Sequence, residues 1–151
     1  MLIKDIYEKG NYSFQNHFDS WQDAIRASYE PLLQKGIVEE CYINNVIECV
    51  NKYGPYIVLV PGIAMPHSSE GSEGCNGTAI AFMKVNDDVD FDPNDEEKKA
   101  KLFFSLASLD HDAHLKGIQD LMEVLMDEDI VAALMEATCE EDLKAIIEKF
   151  S

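Results

Sequence analysis

The chain has 151 residues, 46% of them hydrophobic, and its 29 acidic against 12 basic side chains give a net charge of −17. That length and apolar fraction suit a single domain, residues 1–151, with a sizeable core. The charge excludes nucleic acid and anionic membrane surfaces as partners, because no basic patch exists to neutralise phosphates. A partner protein with a basic surface is favoured instead.

Cys41, Cys49, Cys75 and Cys139 show no C-x-x-C spacing and fit reduced thiols in a cytoplasmic chain. Met1 to Gly10 carries Lys4, Asp5, Glu8 and Lys9 without an apolar stretch, so it does not read as a secretory signal. No run approaches the roughly 18 apolar residues of a membrane helix, and no direct membrane insertion is expected.

After a short N-terminal segment with no clear pattern, Ser20-Trp21-Gln22-Asp23 resembles a capping box. It opens a helix with Trp21, Ala24, Ile25, Ser28, Leu32 and Leu33 on its apolar face. Pro31 is expected to kink the last turn, and Gly36 to end it. A second helix is predicted from about Glu39 to Tyr53, with Ile43, Val46, Ile47 and Val50 inward, Cys41 and Cys49 along it, and Gly54-Pro55 as its stop.

Tyr56 to Val60 is a continuous apolar run that reads as a strand buried on both faces. It leads into Pro61-Gly62-Ile63-Ala64-Met65-Pro66-His67, where the two prolines are expected to stop the strand and stiffen the approach to His67. Ser68 to Gly77 has the composition of a surface loop, and its glycines lack P-loop spacing. Thr78–Val85 and Lys101–Leu109 read as strands, joined by an acidic, solvated loop over Asn86–Lys99 that lacks the glycine of a calcium loop.

The second strand ends in Ser108-Leu109-Asp110-His111-Asp112-Ala113-His114, and a helix follows with Leu115, Ile118, Met122 and Leu125 inward. A shorter one after Asp127 contains Ile130, Val131 and Leu134. Thr138-Cys139-Glu140-Glu141 reads as a capping box for a last helix carrying Leu143, Ile146, Ile147 and Phe150. Helices before and after a block of strands imply an α/β fold with helices on both faces of the sheet.

His67 and His114 each lie where a predicted strand runs into a turn or a helix start, the kind of place where sites collect in α/β sheets. A neutral imidazole keeps one unprotonated nitrogen near pH 7, which makes His67 a nucleophile candidate. His114, in the first turn of a helix, sits where the helix dipole and free backbone N–H groups favour an anion. Together they suit a phosphoryl group. The same residues leave two other readings open: polar surface histidines, or a metal hydrolase built on His67, His111 and His114. His17 has no such context and reads as structural or exposed.

At these residues the chain resembles the mannitol/fructose-type IIA domain of the bacterial phosphoenolpyruvate-dependent sugar phosphotransferase system. Gly62-Ile63-Ala64-Met65-Pro66-His67 matches that family's glycine–apolar–proline–histidine signature, and Ala113-His114-Leu115 with Leu121 and Leu125 matches its second histidine and helix. The similarity runs from Trp21 to Phe150, and within the family it is greatest to the ascorbate-type branch, through Gly54-Pro55-Tyr56-Ile57-Val58 and Pro61-Gly62-Ile63-Ala64. The chain departs from some branches at Cys49, an arginine there, and at Pro61, an asparagine or glutamate there.

The resemblance implies the α/β sandwich of these domains, with a mixed sheet. It also implies a relay in which His67 accepts a phosphoryl group from the carrier HPr and passes it to a cysteine of a IIB component during carbohydrate uptake. His114 would stabilise the phosphoryl group, and neither a cofactor nor a metal is called for. The alternative within the same fold is a regulatory module that uses the histidine as a phosphorylation sensor.

Overall fold

The computed structural model describes residues 1–151. Its elements are α1 (Leu2–Lys9), β1 (Tyr12–Gln15), α2 (Trp21–Ser28), α3 (Glu30–Gln34), α4 (Glu40–Tyr53), β2 (Val58–Val60), β3 (Gly62–Ala64), β4 (Ala79–Asp90), β5 (Lys99–Ala107), α5 (His111–Leu125), α6 (Glu128–Glu136) and α7 (Glu140–Phe150). The strands form one five-stranded sheet in the order β1-β4-β5-β3-β2. β4 and β5 pair antiparallel at its centre, β1 runs parallel to β4 and β3 parallel to β5, and β2 closes the far edge antiparallel to β3. The mixed sheet with helices on both faces is the architecture the sequence implies.

Alternation along β4 explains why both faces are covered. Ala81, Met83 and Val85 point into a core shared with α2, α3 and α4, built on Ile25, Leu32 and Val46. Phe82 points the other way, into a core with α1, α5, α6 and α7 that holds Ile6, Leu121, Leu134 and Leu143. Successive side chains of a strand face opposite sides, so a strand covered on both reads as an unbroken apolar run.

Several local expectations need correction. The N-terminal segment is ordered structure: Ile3 and Ile6 bury one side of α1, and β1 pairs with β4 from Tyr12 against Phe82 to Gln15 against Val85. The predicted strand from Tyr56 is only Val58–Val60, at the sheet edge, where Val60 is 49% exposed. Beyond Pro61 the chain turns back as β3 and pairs with both β2 and β5, so the prolines bracket a strand where the sequence suggests a turn.

Pro31 falls in the first turn of a separate helix, where its missing N–H is not needed, so the chain breaks at Tyr29. Much of the acidic loop is strand: β4 runs on to Asp90, past an irregularity after Lys84, and its buried Val89 pairs with Ala100. On α5, Leu115 and Met122 are exposed and Leu121 and Val124 are buried. The helix turns its Gly117 side to the sheet, where an added Cβ would stand 3.4 Å from Leu106.

Ser20 caps α2 as expected, accepting the Asp23 N–H at 3.2 Å. The cap of α7 is built differently. Asp142 accepts from the Thr138 N–H at 2.9 Å and from its hydroxyl at 3.1 Å, while Cys139 at the N-cap makes no side-chain bond.

Gly62 opens β3 with φ at +96°, and a Cβ there would lie 2.9 Å from the Met135 methyl. The backbone conformation therefore favours glycine, and an added Cβ would also displace the end of the Met135 side chain. Gly62→Ala is expected to cost about 1–3 kcal/mol, read as a lower urea midpoint. Met135→Ala in the same chain should return the steric part and leave the conformational part.

Candidate functional site

The end of β3 is where the candidate histidine is fixed. Met65 donates its N–H to Ile57 at 2.8 Å, and the Pro66 carbonyl accepts the Leu106 N–H at 2.9 Å, which fastens the chain beyond β3 to β5. Tyr29, wholly buried, shares its hydroxyl proton between the carbonyls of Pro66 at 2.8 Å and Leu106 at 2.9 Å. Tyr42 on α4 donates to the Leu106 carbonyl at 3.3 Å and accepts the Ser68 N–H at 3.3 Å. Tyr56 donates to the carbonyl of His67 itself. Burial pushes all three phenols above their ordinary range, so they remain protonated donors.

The His67 ring is half-buried, with Tyr56 edge-on at 5.1 Å and the His114 ring at 5.4 Å between centroids. Its Nδ1 lies 2.7 Å from the Met65 carbonyl. A carbonyl can only accept, so Nδ1 carries the proton and Nε2 keeps its lone pair. Burial lowers the pKa of His67 most; the Met65 bond opposes this and neighbouring His114 adds to it. For His114 the larger cause is again burial, with His111 second, and its pKa too is lowered. Both rings are therefore neutral near pH 7.

His114 stands in the first turn of α5, whose N-cap Asp110 accepts the Ala113 N–H at 2.8 Å. A cleft of about 250 Å³ adjoins His67 through Ser68 and His114, and Tyr42, Ser72 and His111 also line it. The structure thus brings His67, His114 and His111 to one region. His17 lies elsewhere, beside Asp19 at 3.0 Å and Asp87 at 3.2 Å.

The loop after His67 is tied to α4. Asn45 donates to the Ser68 hydroxyl at 2.9 Å, and Lys52 pairs with Glu70 at 2.9 Å. Cys49 is buried, 3.9 Å from that hydroxyl. Burial raises its thiol pKa, but hydrogen bonds from Ser69 and Ser68 outweigh this and leave it lowered.

Sequence reasoning misses the three tyrosines and Asn45 as supports of the site. The available signal is weak: Tyr29 follows Ile25 by one helical turn, on the stripe already counted as apolar. Nothing in that spacing says that its hydroxyl spans two strand ends.

The sequence profile described as phosphoenolpyruvate-dependent sugar phosphotransferase system, EIIA 2, matches residues 5–150, and the chain belongs to this family. It is accordingly a IIA-type phosphotransferase of sugar uptake. The mannitol-specific cryptic phosphotransferase enzyme IIA component of Escherichia coli K12 is 34% identical over 149 residues, covering 99% of each chain. An ascorbate-specific EIIA component of Shigella boydii is 26% identical over 151 residues, covering 99% of this chain and 97% of the other. Relatives of both the mannitol and ascorbate kinds thus match over nearly the full length.

Among solved structures, that of the Escherichia coli mannitol-specific cryptic IIA superposes with a TM-score of 0.84 at 34% identity, over 99% of each chain. The mannitol IIA in complex with phosphorylated IIB, also from Escherichia coli, gives 0.76 at 22% identity, over 92% of this chain and 94% of that one, and is similar in fold.

Two measurements probe the site. Tyr29→Phe removes the proton shared by two buried carbonyls and should cost about 1–2 kcal/mol in urea unfolding, with an unchanged slope. The lowered pKa of His67 means that the folded protein binds its proton less readily than the unfolded chain. The associated stability is full above about pH 6.5 and is lost as pH falls from there through the folded-state pKa. Proton NMR of the His67 ring should give a midpoint below 6.5. The stability of the native protein relative to His67→Gln should fall between pH 7.5 and pH 5.

Proposed function

We propose that His67 is the phosphoryl acceptor of this chain, that its donor is the phosphohistidine of HPr, and that its acceptor is a cysteine of a IIB component, in the cytoplasm. The observation that carries this reading is the Met65 carbonyl 2.7 Å from Nδ1 of His67. It leaves Nε2 as the free nucleophile in a ring whose lowered pKa keeps it unprotonated.

In the first step the Nε2 lone pair attacks phosphorus in line. An N–P bond forms, the donor's N–P bond breaks, and its electron pair returns to the donor imidazole. The second step repeats this with a cysteine thiolate as nucleophile and His67 as leaving group. No covalent help is required from the surroundings, so their contribution is position and charge stabilisation. The His114 ring, 5.4 Å from that of His67 between centroids, supports a role for it as donor to the oxygens of the transferring group. The carbohydrate is phosphorylated downstream of that handover.

The test is phosphorylation by enzyme I and HPr, with the phosphohistidine located by mass spectrometry. Wild type should take label on His67, and His67→Ala should take none. His114→Gln should still accept the group but deliver it to IIB about 100-fold more slowly. Equal labelling of His67→Ala would overturn the assignment of the nucleophile, and equal delivery by His114→Gln the role of His114.

A further inference from the structure

A phosphoryl group brings up to two negative charges into a protein whose net charge is already −17. The cleft beside His67 and His114 has no lysine or arginine in its lining. The nearby Lys52 is bound to Glu70 at 2.9 Å, and Lys116 further along α5 is bound to Asp120 at 2.9 Å. Hydroxyls of Tyr42, Ser68 and Ser72 orient an anion without neutralising it. The lining groups able to supply a positive charge are therefore imidazoles, and besides His114 the cleft holds one more, His111.

His111 is the first residue of α5, three positions before His114, so the two rings share a helix face. It is exposed at the cleft mouth and takes part in none of the chain's ion pairs. The carboxylate in the lining, Asp110, is occupied in capping the helix through the Ala113 N–H. An imidazole donates in either charge state, one N–H when neutral and two when cationic.

We infer that His111 is a second phosphoryl-contacting imidazole of this site, donating a ring N–H to the oxygens of the group held on His67. This rests on the reading of His67 as acceptor. The two imidazoles divide the work: His114 approaches from beside the His67 ring, while His111 closes the solvent side of the same cleft.

The test exploits a thermodynamic distinction. The equilibrium constant for phosphoryl exchange between two free proteins depends on how each holds the group, whereas the strength of their transient complex cancels. The phosphorylated fraction of this chain is measured at a fixed ratio of phospho-HPr to HPr, for wild type, His111→Ala and His111→Lys. Loss of a charge-assisted hydrogen bond should lower the constant roughly tenfold in His111→Ala, and lysine should restore most of it. The phosphorus NMR shift of the phosphohistidine should move in His111→Ala as well.

An unchanged constant in His111→Ala, with wild type phosphorylated normally, overturns this inference and leaves His67 as the acceptor. A slower approach to the same constant overturns it too, by assigning His111 to docking. Absence of label on wild type overturns the reading of His67 itself. His111 is exposed, so its replacement leaves the core untouched, and circular dichroism confirms the fold of each variant.

Discussion

The hydroxyl of Tyr29 holds the site together. Buried without access to water, it links the carbonyls of Pro66 and Leu106, the points where the chain leaves β3 and approaches the end of β5. Buried carbonyls left without partners are costly, so the hydroxyl fixes the separation of the two strand ends as well as adding a bond. His67 is one residue past the first carbonyl, and α5 begins five residues past the second. The spacing between the two candidate imidazoles is therefore inherited from a contact beneath them. Tyr42 and Tyr56 extend the same construction to Leu106, Ser68 and His67.

Electrostatically the site contrasts with the rest of the molecule. The surface is strongly acidic, yet His67 and His114 are held neutral mainly because burial disfavours the charged ring. The Met65 carbonyl pulls the other way on His67 and is overridden, but it still decides which nitrogen bears the proton. Two different forces thus set two different properties of one ring: desolvation sets its charge, and a hydrogen bond sets its tautomer. A nucleophile needs both.

The histidines were legible because their surroundings are written in strong local signals. Prolines bracket the approach to His67, and apolar residues at helical spacing follow His114. The helix from Glu40 to Tyr53 was legible for the same reason, ending at Gly54. β3 was hidden because Pro61 and Pro66 punctuate a segment whose strand character comes from pairing with β5, a partner nearly forty residues away in sequence. α1 was hidden because few apolar residues bury it among Lys4, Asp5, Glu8 and Lys9, and its stability comes from docking on α5 and α7. The tyrosine contacts lie beyond sequence pattern altogether, since periodicity places a side chain on a face but does not say what its oxygen meets.

The two edges of the sheet have a bearing on how such a protein behaves in a crowded solution. β1 has four residues and β2 three, with Pro61 directly after β2, and the long strands β4 and β5 are enclosed between them. An incoming strand thus finds a short row of open backbone groups at either side, and at one side a proline that cannot donate. A chain that must meet partners briefly and release them gains from having little backbone to offer for permanent pairing. The same arrangement that places β3 deep enough to aim His67 leaves the molecule with almost no adhesive border.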